Sequence, residues 1–257
     1  MKQLIPVFIL VLFLALLIGA NVYLTKRFNW YFSISNATAL YFIFASITVF
    51  MIGGLIAFTN TTNILGSYAY ITASFLMGFM LYLLLSVNLI DILHFFIKAQ
   101  PKFYGIAALV LAFSISFYGI FNSFNTKLIK LDMPINGITK EIKAMHLTDV
   151  HIGHFRGKKF LKKIVDETNK QNADVVLITG DLFDGKIRLS AEHLEPLKQL
   201  KVPIFFVEGN HDGYTGSAII KQKLRDIGVI VLENQIAEWN GLQIIGLNHM
   251  LADNKST

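Results

Sequence analysis

The chain has 257 residues, 54% of them hydrophobic and 16% charged, with a mean hydropathy of +0.53, which is too apolar for an ordinary soluble domain. It contains no cysteine, which excludes disulfides and thiolate metal sites; any metal must be held by Asp, Asn and His, a donor set suited to Mn, Fe, Zn, Mg or Ni rather than copper(I) or iron–sulfur clusters. The formal net charge of +6 divides into +4 before residue 127 (five cations, one acid) and +2 after it, so no basic stripe is left to follow a nucleic-acid backbone and no nucleic-acid partner is expected.

In residues 1–126 the charged side chains are Lys2, Lys26, Arg27, Asp91, Lys98 and Lys102; the other thirty-four of the forty lie in 127–257. A membrane span needs about 20 mostly apolar residues, and 4–24, 39–58, 68–93 and 103–121 qualify. The first run is longer than the apolar core of a signal peptide, and Gly19-Ala20-Asn21 is a weak cleavage sequence, so it reads as a retained helix. Short polar links at 25–38, 59–67 and 94–102 join the spans. Trp30, Tyr31, Tyr41, Tyr68, Tyr70 and Tyr104 fall near the span ends, where amphipathic rings favour the interface. Asp91 lies a turn from the end of the third span, which predicts an interfacial position.

An even number of crossings puts both termini on one side. Lys26, Arg27, Lys98 and Lys102 on one face stand against Lys2, Lys127 and Lys130 on the other, a near tie for the positive-inside rule. A short amino terminus bearing Lys2 favours the cytoplasm, so a multi-pass cell-membrane protein with a cytoplasmic domain is expected, and a label near Lys186 would report it. Residues 127–140 read as a linker before a domain at 141–257.

From Glu141 the pattern changes. Ile142 to Leu147 suggests a strand; Lys158 to Asn169 is a helix whose apolar face is Phe160, Leu161, Ile164 and Val165. The lysines at 158, 159, 162 and 163 form its solvated face. Asp174 to Thr179 is a continuous apolar run, as in a strand buried on both sides. A helix at Glu192–Leu200, a strand at Pro203–Val207, a helix at Ser217–Asp226, a strand at Val229–Leu232 and a strand from Gln243 follow. Alternating β and α elements predict an α/β domain with a largely parallel sheet.

Three polar clusters stand at the ends of those strands: Asp149-Val150-His151, Gly180-Asp181-Leu182-Phe183-Asp184 and Gly209-Asn210-His211-Asp212. The crevice beyond strand carboxyl ends is where open α/β sheets bind ligands. In Asp-x-His, a spacing of two lets a carboxylate and an imidazole face the same way from an extended segment, and Gly180 and Gly209 permit tight turns. A carboxylate such as Asp181 has two oxygens with which to bridge two ions, and Asn210 offers a neutral amide oxygen. Two cations about 3.5–4 Å apart hold a phosphoryl group and make bound water nucleophilic near neutral pH.

With these blocks in this order, the sequence resembles the calcineurin-like metallophosphoesterases, whose pattern is Asp-x-His, Gly-Asp-x-x-Asp, Gly-Asn-His-Asp/Glu, a lone His and Gly-His-x-His. The match covers about 142–250 and, with the spans, looks like the multi-pass bacterial branch. The resemblance implies four transmembrane helices followed by a β-sandwich flanked by helices, and two divalent ions. It implies that Asp149 and His151 hold the first ion, Asp181 bridges and Asn210 holds the second. His211 is then the phosphate-contacting group or general acid, oriented by Asp212. Asp184 matches the pattern as an outer-sphere or turn residue. His146 reads as a satisfied core residue, His154 as a surface-loop residue and His249 as a residue lining the pocket.

The last two motifs would fall beyond residue 250, so the domain is expected to be truncated. With so few donors, this stretch is expected to bind at most about one divalent ion and to be inactive. The implied activity is hydrolysis of a phosphomonoester, phosphodiester or pyrophosphate, with a membrane-resident substrate such as acylated UDP-glucosamine favoured over soluble nucleotides. The other reading from the same residues is a non-catalytic membrane interaction or sensor module.

Overall fold

The computed structural model describes residues 4–138, 140–184 and 191–249. The ends of the expected domains, 1–3 and 250–257, and Lys186 lie outside the described residues. The chain forms two compact units, one of residues 1–58 and 68–127, the other of 59–67 and 128–257.

The first unit contains four helices, α1 (Leu4–Phe32), α2 (Ala37–Phe58), α3 (Ile64–His94) and α4 (Pro101–Ser123), each long and apolar enough to cross a membrane. Side-chain oxygens cap two of them at the amino end: Asn36 accepts the Ala39 N–H at 3.0 Å, and Asn63 accepts the Gly66 N–H at 2.7 Å. Pro101 starts α4, where a missing N–H costs nothing. Leu24, Tyr31, Phe44, Leu83, Val87, Tyr104 and Ala108 form the core. Helix α1 continues through the stretch read as a polar link. Its Arg27 explains why: the Nε lies 2.7 Å from the Asp91 carboxylate, and the Tyr23 and Tyr31 hydroxyls donate to the same group. Asp91 is thus a paired acid tying α1 to α3, as an ionisable group in a bundle must be.

The second unit holds a parallel sheet in the order β1 (Ala144–Leu147), β2 (Val175–Thr179), β3 (Ile204–Val207), β4 (Ile230–Val231). Alternation along the strands divides its two faces. Val176, Ile178, Ile204 and Phe206 pack against Leu161 and Val165 of α5 (Lys158–Lys170) and Ile220 and Leu224 of α7 (Asn210–Asp226). Val175 and Phe205, on the other face, pack with Trp239 and Ile244 of an antiparallel hairpin, β5 (Gln235–Trp239) and β6 (Leu242–Gly246).

Three elements differ from expectation. The helix expected at 192–200 is a single turn, α6 (Ala191–Leu194), followed by a 3-10 segment, Glu195–Gln199, because Pro196 has no N–H with which to continue an α-helix. Helix α7 begins at Asn210 and crosses a kink at Gly216 (φ 115°), so the third cluster sits on a helical turn. Strand β5 was not expected; its turn, Asn240-Gly241, has φ of 46° and 78°, the left-handed pair that a two-residue hairpin requires. His146 corrects a further expectation: it is exposed on β1, its ring 2.6 Å from the Thr179 hydroxyl, and so is not a core residue.

Candidate metal centre

The loops after β1 and β2 extend the parallel sheet by backbone bonds. His151 N–H donates to the Asp181 carbonyl (3.0 Å), Ile152 N–H to Leu182 (2.8 Å) and Asp184 N–H to Ile152 (2.9 Å). Within them Asp149, His151 and Asp181 have φ of 53°, 51° and 51°. This left-handed conformation costs a non-glycine residue on the order of 1 kcal/mol and persists only where the surroundings enforce it. The side chains of Asp149 and His151 therefore meet through two left-handed turns and not along an extended segment.

Glycines let the loops touch backbone to backbone. A Cβ on Gly180 would lie 2.8 Å from the Gly209 Cα, and one on Gly209 would lie 2.2 Å from the Asp181 Oδ1. Gly153 plays the same part beside Asp184, whose Cβ an added Cβ would approach to 2.8 Å.

The result is a compact donor set. His151 Nε2 is 3.7 Å from Asp149 Oδ1 and 4.0 Å from Asp181 Oδ2, and one ligand atom from each of the three residues lies within 4.8 Å of the others. Two donors bound at about 2.1 Å to one ion are separated by at most about 4.2 Å. Both separations fall inside that limit, so these residues fit a hard or borderline dication. Neighbouring contacts orient the oxygens: Thr148 donates to Asp149 Oδ2 at 2.7 Å, and the His211 N–H donates to Asp181 Oδ1 at 3.0 Å, which leaves Oδ2 toward His151.

Asp184 lies between two rings, its Oδ1 3.8 Å from His151 Nδ1 and 3.7 Å from His211 Nδ1. The rings stand edge to face with centroids 4.7 Å apart. Both Oδ1 separations exceed a hydrogen bond, so Asp184 acts on the two rings through its charge. Asn210 opens α7 beside His211, half-buried.

Asp212 departs from its expected part. It is 0% exposed, and its carboxylate accepts the Phe183 N–H at 2.9 Å and the Gly209 N–H at 3.0 Å. Both oxygens are engaged, one joining the second cluster to the third and the other closing the first turn of α7; the acid beside the His211 ring is Asp184. Burial pushes the Asp212 pKa up, against the lowering effect of those N–H donors. His154 is held by the Thr59 carbonyl (3.1 Å) and the Ser67 hydroxyl (3.3 Å).

Arg156 was not anticipated. Its guanidinium donates to the carbonyls of Asp149 (3.3 Å) and Val150 (3.2 Å) and rests on the Phe160 ring, which supports the strained turn. No spacing rule in the sequence points to it.

A parallel sheet with oxygen and imidazole donors gathered beyond its strand ends forms a candidate site for divalent metal ions. Residues 142–251 match the family model described as calcineurin-like phosphoesterase. The chain carries a calcineurin-like metallophosphoesterase domain behind four apolar helices.

An uncharacterised metallophosphoesterase of Helicobacter pylori is 30% identical over 208 residues, covering 76% of this chain and 56% of that protein. A transmembrane protein with metallophosphoesterase domain from Danio rerio is 30% identical over 140 residues, covering 52% of this chain and 32% of its own length. The first likeness reaches into the helical region, because 127–257 make up only about half of the chain. The chain spans about half the length of that relative, and less of the second.

Proposed function

We propose that the full-length protein is a membrane-anchored two-metal phosphoesterase. The observation that supports the metal dependence of this reading is the Asp149–His151–Asp181 donor set, whose separations suit one dication, and the second ion follows from the family resemblance. In this reading Asp149 and His151 hold one ion, Asp181 is shared, and Asn210 holds the other. Bound divalent ions supply Lewis acidity to the phosphoryl oxygens and to the attacking water. His211 contacts the phosphoryl group and delivers a proton to the leaving oxygen. Asp184 keeps its ring turned toward that position, and Asp212 and Arg156 hold the loops.

The proposed substrate is a phosphoester presented at the membrane, with acylated UDP-glucosamine as the specific case. The test is hydrolysis by chelator-stripped protein in detergent, resupplied with Mn, Fe, Zn, Mg or Ni, on lipid-linked and on soluble phosphoesters. Metal-stimulated turnover is expected, faster on the lipid-linked esters; preference for soluble nucleotides would overturn the substrate assignment. No turnover on any ester by folded protein would favour the non-catalytic membrane module.

Replacing Asn210 with alanine should raise the metal concentration needed for half-maximal activity about tenfold, with recovery in excess metal. Unchanged metal dependence would remove Asn210 from the donor set.

For orientation, the proposed face of the catalytic unit is the cytoplasm. Lys198, exposed on the 3-10 segment, is a suitable position for an introduced cysteine. It should resist an impermeant thiol reagent in intact cells and react after lysis; labelling of intact cells would place the unit outside.

A further inference from the structure

Helix α7 is two helical pieces. Gly216 has φ 115° and ψ 83°, far from helical values. The piece before it, less than two turns long, carries Asn210, His211 and Tyr214; the piece after it, from Ser217, packs on the sheet through Ile220 and Leu224. A single turn has little stability of its own, and glycine leaves its φ and ψ free to pivot. Something other than helix continuity must fix the first piece.

The His211 N–H on Asp181 and the Asp212 carboxylate on the Phe183 N–H hold that piece to the second loop, and a further set of contacts, converging on Glu208 between β3 and the turn, spans the kink. Glu208 is 7% exposed and Lys221 8%. Lys221 Nζ lies 2.7 Å from Glu208 Oε2 and 2.6 Å from Glu233 Oε1, and the Ser217 hydroxyl donates to Glu208 Oε2 at 2.8 Å. Arg225 pairs with the second oxygen of Glu233. Both partners of Glu208 come from beyond the kink, so one carboxylate links the strand end to the far piece of the helix. Burial lowers the Lys221 pKa, but the two carboxylates outweigh it and hold it above the ordinary value.

We propose that Glu208 and Lys221 are positioning residues whose buried pair braces the Gly216 kink and so sets where Asn210 and His211 project. The inference rests on the phosphoesterase reading for its catalytic consequence, but the brace itself has a separate readout. The His211 N–H is bonded to Asp181 Oδ1 only while the turn is in place, so its hydrogen exchange reports the turn directly.

The experiment compares Lys221→Met, Lys221→Arg and the double variant Glu208→Gln/Lys221→Met in the full chain in detergent. Hydrogen exchange of 209–215, calorimetric metal affinity, and kcat and KM are measured. The double variant guards against misfolding, because Lys221→Met alone strands a buried carboxylate whereas the pair of changes removes both charges.

Both methionine-containing variants should exchange about tenfold faster in 209–215 and bind metal about tenfold more weakly, with kcat reduced more than KM is raised. Lys221→Arg should restore all of these. Wild-type exchange at 209–215 in a folded double variant would overturn the brace. Faster exchange with unchanged metal affinity and kcat would make it structural only and overturn the positioning role. Faster exchange in a protein whose wild type neither binds metal nor hydrolyses any ester would support the brace and overturn the phosphoesterase reading.

Discussion

Asp181→Ala is expected to abolish metal binding at the Asp149–His151 group and to lower turnover by about a thousandfold or more, while the four-helix unit remains folded. The side chain has two separable functions. Oδ2 faces His151 Nε2 at 4.0 Å across the space for an ion, and Oδ1 accepts the His211 N–H at 3.0 Å. Alanine removes both. Asp181→Asn removes the charge but keeps an acceptor for His211, so it should retain the fold around α7 and still lose the metal. Calorimetric titration of the stripped protein with Mn, together with hydrolysis of a chromogenic phosphodiester, tests both variants. Turnover of Asp181→Ala above roughly a hundredth of wild type would show that this carboxylate is not shared between the ions.

What the sequence made legible follows the range of the forces involved. The spans are stated by local hydropathy, and the strands and helices of the second unit by periodicity, because each element buries a face that its own residues define. The three clusters are legible as a group because strand carboxyl ends in a parallel sheet share one edge.

The conformations inside the clusters are not legible in this way. An Asp-x-His pattern does not state that Asp149 and His151 are left-handed; the bonds from the second loop and the Arg156 guanidinium impose that. Partnerships across the fold were equally hidden. The resemblance put Asp212 behind His211, whereas the turn of α7 sends its carboxylate into the interior and leaves the ring beside Asp184. Glu208 and Lys221 are thirteen positions apart with nothing in composition to join them. The β5–β6 hairpin, by contrast, carried a readable signal in Asn240-Gly241.

The glycines give the sharpest test of how the centre is assembled, because two of them occupy the same helical position in nearly the same conformation. Gly157 caps α5 with φ −88° and ψ −166°, and Gly209 caps α7 with φ −98° and ψ 178°. Both conformations are open to alanine, and the loss of a glycine cap costs each helix under about 1 kcal/mol. They differ in what an added methyl would meet. Around Gly157 nothing lies within 4 Å; at Gly209 a Cβ would lie 2.2 Å from Asp181 Oδ1 and 2.5 Å from the Asp181 backbone nitrogen. The backbone nitrogen cannot swing aside as a side-chain tip can, so the loops after β2 and β3 must separate. That separation would pull Asp181 Oδ1 from the His211 N–H and Asp212 Oδ1 from the Phe183 N–H. Gly209→Ala is therefore expected to destabilise the second unit by about 3 kcal/mol and to lose metal binding. Gly157→Ala should lie within about 1 kcal/mol of wild type with its metal affinity intact. Unfolding midpoints and metal titrations of the two variants decide the matter: equal, small effects would mean that the loops are not in backbone contact and that the donors are held by their side chains alone.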